Sequence, residues 1–326
     1  MSKTTSPSLF GALAALMMSG ILSPAATAHA VTLSPGDLIV AIQSAASGYG
    51  EIVKVNPTNG QQTLIATDTT YAKMSTPYDA VLGSNGMIDV TDGTTKHILS
   101  VNPSTGIVSI VTTFPSQSLF GDLVINAQGM LLVADEGLHA VYQVDPNNGS
   151  SSLVASGQGL SEPWGIALDH AGNILVSDLS ANAVFKIDAT NGSVSTLSSG
   201  NLLATPRGLA VDSMGNVDVV DQDNRLVQLN PINGSQTLLS SGGFLADALG
   251  LAIEANGTIL VAESSSAVNP TGAILAIDPT NGHQSILSSG GRFLNEAGIS
   301  VIPEPSTLLL LTTGAIGLLW ARRRFA

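Results

Sequence analysis

Acidic side chains recur in this sequence at a spacing that suits a cation. Asp92, Asp135, Asp178, Asp221 and Glu263 each close a short apolar run. Hard divalent cations collect about six to eight oxygen ligands, so a ring of carboxylates is one reading. In the other, each side chain accepts backbone N–H groups of the neighbouring turn, and repetition in unit after unit favours that structural role. Asp221-Gln222-Asp223-Asn224 alternates oxygen-bearing residues but lacks the Gly and terminal Glu of a helix-loop-helix calcium site. Histidines do not converge: His97 and His139 take different offsets, His170 lies in a turn and His283 begins an outer strand. Acid–base catalysis needs a base with an orienting partner, and no such pair is visible. There is no Gly-x-Ser-x-Gly and no cysteine, so nucleophilic serine, thiolate and disulfide chemistry all lack support. No catalytic residue, metal ligand or cofactor is expected.

These residues are positioned by a repeat. Within Pro163–Gly200, four apolar runs of strand length are separated by His170-Ala171-Gly172, by Leu179–Asn182 and by Thr190-Asn191-Gly192. That is a four-stranded antiparallel meander, and Asn191-Gly192 predicts a type I′ hairpin with both central residues at positive φ. The same turn returns at Gly60, Gly106, Gly149, Gly192, Gly234 and Gly282, 42 to 48 residues apart. Four strands per unit at that period is the signature of a β-propeller. The first unit starts at Asp37-Leu38-Ile39-Val40-Ala41 and lacks an innermost strand, which Ala297-Gly298-Ile299-Ser300-Val301 supplies from the other end. The expected fold is all-β: six four-stranded antiparallel blades over residues 31–302, closed by a C-terminal strand that completes the first blade. Closure removes the free edges of an open array.

The loops leading into the innermost strands gather at one end of the channel. Innermost strands begin near Asp79, Asp122, Gly165, Gly208 and Gly250, just after Tyr78, Phe120, Trp164, Arg207 and Leu249. Large aromatics beside an arginine are what binding surfaces use, so Tyr78, Asp79, Phe120, Asp122, Trp164 and Arg207 form the candidate binding mouth. The competing reading wedges Phe120 and Trp164 between blades as core.

Both termini carry address signals. Lys3, the apolar run Leu9–Leu22 and Ala28-His29-Ala30 predict a secretory signal peptide over residues 1–30, too short to be a span. At the other end Pro303-Glu304-Pro305 precedes an uncharged run, Leu308–Trp320, and then Arg322-Arg323-Arg324. Arginines beyond an apolar segment stay on the cytoplasmic side. Of the 11 Lys and Arg, Lys3 and Arg322–Arg324 fall outside the propeller, whereas of the 24 acids only Glu304 does. So acidic a ring disfavours nucleic acid, whose binding depends on Lys and Arg neutralising phosphates.

Residues 303–326 resemble the PEP-CTERM sorting signal of Gram-negative bacteria that make extracellular polysaccharide. The resemblance implies a transmembrane helix recognised at the inner membrane by an exosortase, which cuts near Pro303, Glu304 and Pro305. The ring, through Pro163-Trp164-Gly165-Ile166-Ala167, Gly172–Asp178 and Val184–Asp188, resembles NHL-repeat and gluconolactonase-like propellers. In such enzymes a divalent metal is held by Glu, Asn and Asp just before the inner-strand Gly. The corresponding residues here are Tyr78, Phe120, Trp164, Arg207, Leu249 and Ala297, none of them a hard oxygen ligand. Asp79, one position on, and Glu296, one position earlier at the closing strand, should face away from the axis because side chains alternate along a strand; Asp122, two positions on, keeps the right face alone. A twist or bulge would lift that objection. The resulting expectation is an exported, exosortase-processed protein of the cell surface or matrix, binding polysaccharide or a surface protein without catalysis. A metal-dependent lactone hydrolase or streptogramin-lyase-like enzyme is the alternative.

Overall fold

The computed structural model describes residues 31–43, 49–68, 73–264, 271–293 and 296–303. The expected signal peptide and the apolar tail helix lie outside these residues. Six four-stranded antiparallel sheets are present among them. Blade two runs Pro77–Leu82, Ile88–Asp92, His97–Val101 and Val108–Thr113; blade three runs Phe120–Ile125, Leu131–Asp135, Ala140–Val144 and Ser151–Ser156. Blade four is Pro163–Leu168, Ile174–Asp178, Ala183–Ile187 and Val194–Ser199. Blade five is Pro206–Val211, Val217–Asp221, Arg225–Leu229 and Gln236–Ser241; blade six is Ala248–Ile253, Ile259–Glu263, Ala273–Ile277 and Gln284–Ser289.

Blade one is assembled from both ends of the chain, as the sequence indicates. Its innermost strand is Glu296–Val301, paired to Leu38–Ile42 with Leu38 opposite Val301 and Val40 opposite Ile299. Glu51–Val55 and Gln62–Thr67 complete it. Second strands are buried along their whole length, which explains their unbroken apolar runs: Leu38–Ile42, Leu131–Asp135 and Ile174–Asp178 pack against neighbouring blades on both faces.

The repeated hairpin is built differently from the expected type I′ turn. Of its residues only the glycine takes positive φ, 69° at Gly192 and 67° at Gly234. The loop is longer and capped: Asp188 Oδ1 accepts from Thr190 N at 2.8 Å, and Gly192 N donates to Asp188 O at 2.9 Å. Pro57, Pro103, Pro146, Pro231 and Pro279 fit this geometry because proline presets the φ of a turn's first corner. Glycine has a second reason. A Cβ at Gly192 or Gly234 would strike the Val154 or Leu197 carbonyl of the preceding blade's outer strand.

Three consecutive blade interfaces carry a matching polar clasp. Gln236 Nε2 donates to Ser198 Oγ at 2.9 Å and Gly200 O at 3.0 Å, and its Oε1 accepts from Leu202 N at 2.8 Å. Gln284 does the same with Ser240, Gly242 and Phe244. Gln62 reaches Ser288, Gly290 and Arg292 across the seam where the chain ends meet. There Arg292 Nη1 also holds both oxygens of buried Glu51 at 2.9 Å. A Gln62→Ala variant should unfold at lower denaturant, by about 1–2 kcal/mol for lost and orphaned bonds. Truncation after Gly290 should cost far more, abolishing a single cooperative transition in calorimetry; a monomer with unchanged melting would contradict the closing-strand assignment.

Candidate functional site at the channel mouth

Pairing registers define which inner-strand residues are equivalent. Counted from the residue closing each second strand, Tyr78, Gly121, Trp164, Arg207, Leu249 and Ala297 share one position. The next position holds Asp79, Asp122, Gly165, Gly208, Gly250 and Gly298. This corrects the placement of Phe120. It aligns with Pro163, is fully buried, and stacks edge-on against Phe114 at 5.2 Å within the core of blades two and three. Gly121, with no side chain, takes its place at the mouth.

Glycine dominates the second position because inner strands crowd there. A Cβ at Gly165 or Gly208 would collide with the Arg207 or Leu249 carbonyl of the next blade. Asp79 and Asp122 break the pattern in adjacent blades. Each inner strand has a register shift here, between Pro77 and Asp79 and between Phe120 and Leu123, so simple alternation of faces fails. Asp79 reaches across the interface: its Oδ2 accepts from Leu123 N at 3.1 Å and its Oδ1 from Ala80 N at 2.8 Å. Gly298 lies directly against it on the other side. Burial raises the pKa of Asp79 despite these two bonds. Asp122 is also raised well above the usual carboxylate range, by burial first and then by the Asp79 charge, with Arg207 pulling the other way. The two acids therefore share a desolvated corner of the channel.

Because Gly121 leaves a gap between them, Tyr78 and Trp164 meet edge to face across blade three, at 5.3 Å and 89°. The Tyr78 ring lies over Gly93 of its own blade, where any Cβ would collide with it. Arg207 covers Trp164, its guanidinium carbon 4.5 Å from the ring centroid. Such a cation–π contact is favourable where water is excluded. With the Gln222 amide turned to suit the network, its oxygen accepts from both Arg207 Nε and Nη2 at 2.7 Å. Trp164 is thus only 8% exposed and serves to fix Arg207. The half-buried guanidinium and Tyr78 lie at the mouth with half-buried Glu136 beside them, while Asp79 is buried behind.

Several of those acids escaped the sequence reading. Burial raises Glu136, and Glu162 nearby adds to it. Burial lowers Arg207, offset in order by Asp247, Glu136, Asp122 and Tyr78. Glu136 and Gln222 follow the second strands of blades three and five, on the same pole as Arg207. His139 also lies at this pole, beside Glu136 and against the Ser161 carbonyl, more exposed than the residues of the mouth.

The other acidic series is structural. Asp178 Oδ2 accepts from Ser161 N and Glu162 N at 2.7 and 3.0 Å, and Oδ1 from Ala181 N at 2.9 Å. Asp92, Asp221 and Glu263 likewise each grip two N–H groups of the loop entering their blade's inner strand. These carboxylates tie down the loops that form the mouth. Among the described residues no group of three His, Asp or Glu side chains is disposed to hold a metal ion.

Comparison with known proteins separates the ring from its tail. The ring is a six-bladed propeller whose fold recurs in many solved structures. A chain of a nidogen/laminin complex matches it with a TM-score of 0.66 at 15% identity, over 82% of this chain and 98% of that one. A streptogramin B lyase matches with 0.57 at 16%, over 71% and 74%. A catalytically inactive variant of virginiamycin B lyase from Staphylococcus aureus, solved with quinupristin, matches with 0.58 at 14%, over 79% and 87%. Identities this low show a shared fold. No curated protein matches in sequence. Residues 301–324 match the PEP-CTERM protein-sorting motif, so this propeller is an exported protein sorted through the membrane.

The buried acids set a pH dependence. Asp89, Asp218 and Glu263 are each pushed up to about 7, chiefly by burial. The folded state therefore keeps protons that the unfolded chain, titrating near 3.8 to 4.5, has released. Stability should fall as pH rises through that interval and level off above it. Asp169, Asp188 and Asp278 are lowered, so their contribution is lost only below about pH 4. Thermal melting should thus be highest between about pH 4 and 5 and lower at pH 8. Asp89→Asn with Asp218→Asn should flatten the descent; an unchanged slope would show that these groups do not carry it.

Proposed function

We propose that this chain is a non-enzymatic binding protein of the cell surface or extracellular matrix, released from the inner membrane by an exosortase, with its site at the Tyr78–Trp164–Arg207 mouth. The observation that carries the reading is the fixed guanidinium: stacked on Trp164 and gripped by Gln222, Arg207 is preorganised at the open end of the channel. Ordering it costs nothing further when a ligand arrives. Around it Glu136, Asp122 and Asp247 supply acceptors and Tyr78 a hydroxyl. Donors and acceptors interleaved at an apolar-backed mouth suit a polyhydroxylated, uncharged ligand, and extracellular polysaccharide meets that description. The acidic surroundings disfavour polyanions. Arg207→Ala should weaken binding of the host's neutral polysaccharide at least about tenfold, roughly 1.4 kcal/mol, in titration calorimetry. Met214→Ala, at the other pole, should leave it unchanged. Equal affinity of the wild type and the Arg207 variant would refute the site.

A second reading draws on Asp79 and Asp122. Two carboxyls in a desolvated corner with raised pKa values resemble the environment of a general acid or base. The streptogramin B lyase and the virginiamycin B lyase solved with quinupristin share the fold. Elimination or lactone-opening activity abolished by Asp122→Asn, with melting intact, would favour this enzyme over the binding protein.

Sorting has its own test. Pro303 follows buried Ile302 at once, and Pro303 and Pro305 resist helix, so the motif should be extended where a membrane-embedded enzyme can reach it. Replacing Pro303, Glu304 and Pro305 with alanine should trap an uncut, membrane-bound form. Mass spectrometry of the exported protein in the native host would overturn this if the chain still ended at Ala326.

A further inference from the structure

The ring has two unlike poles, and the chain leaves by only one of them. Inner strands begin at the mouth and end at the opposite pole, where turns such as Gly83–Met87 and Asp212–Asn216 lead into the second strands. The closing strand Glu296–Val301 follows the same direction, so Ile302 and Pro303 emerge at the pole away from Arg207. Val31 sits there too, in one apolar cluster with Ile302, its N–H donating to Pro103 O at 3.2 Å. The closing strand is an innermost strand, so the exit lies beside the central axis and not at the rim.

Five residues separate Ile302 from Leu308, where the uncharged run begins. Even fully extended they reach roughly 20 Å. A disk anchored near the centre of one face by so short a tether has little choice of orientation. That face also carries the most exposed large apolar side chains among the described residues: Met214 is 83% exposed, Ile232 91% and Ile107 61%. Met214 is in the turn after an inner strand, while Ile107 and Ile232 are in turns between third and fourth strands, all at the exit pole. They lie in blades two and five, on opposite sides of the axis, so together they would level the disk on a surface. Some acids of this pole are engaged beyond their own turn. Asp169 pairs with Lys186 at 2.8 Å and Asp37 with Lys54 at 3.3 Å, while Asp212 accepts from Met214 N and Asn216 N at 2.8 Å. Asp145, Asp188, Glu254 and Asp278 bond only within their own turns and form no ion pair among the described residues, so the pole does not suit an anionic lipid surface.

We propose that, before it is cut, the protein sits with its exit pole against the lipid bilayer, touching it through Ile107, Met214 and Ile232, and presents the Arg207 mouth away from the membrane. Contact is apolar and supported by the tether, so it suits a zwitterionic surface and does not need salt-sensitive attraction. The processing enzyme then works at one pole while the mouth at the other stays open. This rests on the tail entering the bilayer, as proposed above.

The absence of cysteine makes the test clean. Single-cysteine variants of the uncut full-length chain, Ile107→Cys, Met214→Cys, Ile232→Cys and, at the mouth pole, Ser116→Cys, are labelled with a fluorophore. Each is reconstituted into phosphatidylcholine–phosphatidylethanolamine vesicles containing a headgroup nitroxide quencher. The chain should float with the vesicles, and quenching at the three exit-pole sites should exceed that at Ser116 several-fold, at low and high salt alike. Flotation with equal quenching at both poles, or stronger quenching at Ser116, overturns the orientation while leaving the tail in the bilayer. Failure to float overturns the membrane-seated tail and the orientation with it.

Discussion

Six inner strands converge on one axis, and the space between them decides both fold and site. At Gly165, Gly208 and Gly298 the next blade comes so close that a methyl group would collide with it. Ser177 turns that crowding into a bond, accepting from Gly165 N and donating to Arg207 O, and Thr91 repeats the arrangement between Asp79 N and Gly121 O. The ring is thus stitched at its centre by small residues and hydroxyls. Without disulfides, it depends on such contacts and on the outer glutamine clasps to stay closed.

The mouth arises where this rule is relaxed. Asp79 and Asp122 put carboxyls where the other blades have glycine, and Gly121 removes a side chain where blades two, four, five and six have large ones. One exception creates a desolvated acidic corner; the other lets Tyr78 reach Trp164 and leaves Arg207 stacked beside them. The site is therefore asymmetric although the scaffold is a sixfold repeat. Local departures from a repeat are where function is expected, because the repeat itself satisfies packing.

Much of the scaffold is legible in the sequence because its signals are local. Turn glycines at 42 to 48 residue intervals fix the blade count, and a first unit one strand short with a single extra strand at the far end implies closure. Register is less legible. Aligning by glycine places Phe120 beside Trp164, whereas counting back from the end of the second strand places Gly121 there. Asp79, Asp122, Gly165, Gly208 and Gly250 each stand 13 residues before Asp92, Asp135, Asp178, Asp221 and Glu263, a constant that identifies the ring position. Inner-strand bulges then defeat the alternation of faces, which is why Asp79 looks misdirected on paper yet borders the channel corner. Glu136, Gln222 and Asp247 join the mouth through contacts between blades, and no local pattern announces such contacts.

The central claim is that ligand recognition belongs to the mouth and not to the outer rim or the exit pole. Amide hydrogen exchange on the intact ring, with and without the host's neutral polysaccharide, tests it most directly. The account predicts slower exchange in the loops entering the inner strands of blades two, four and five and in the segment around Glu136 and Gln222. Protection confined to the outer strands or to the exit-pole turns, with the mouth unchanged, would contradict it.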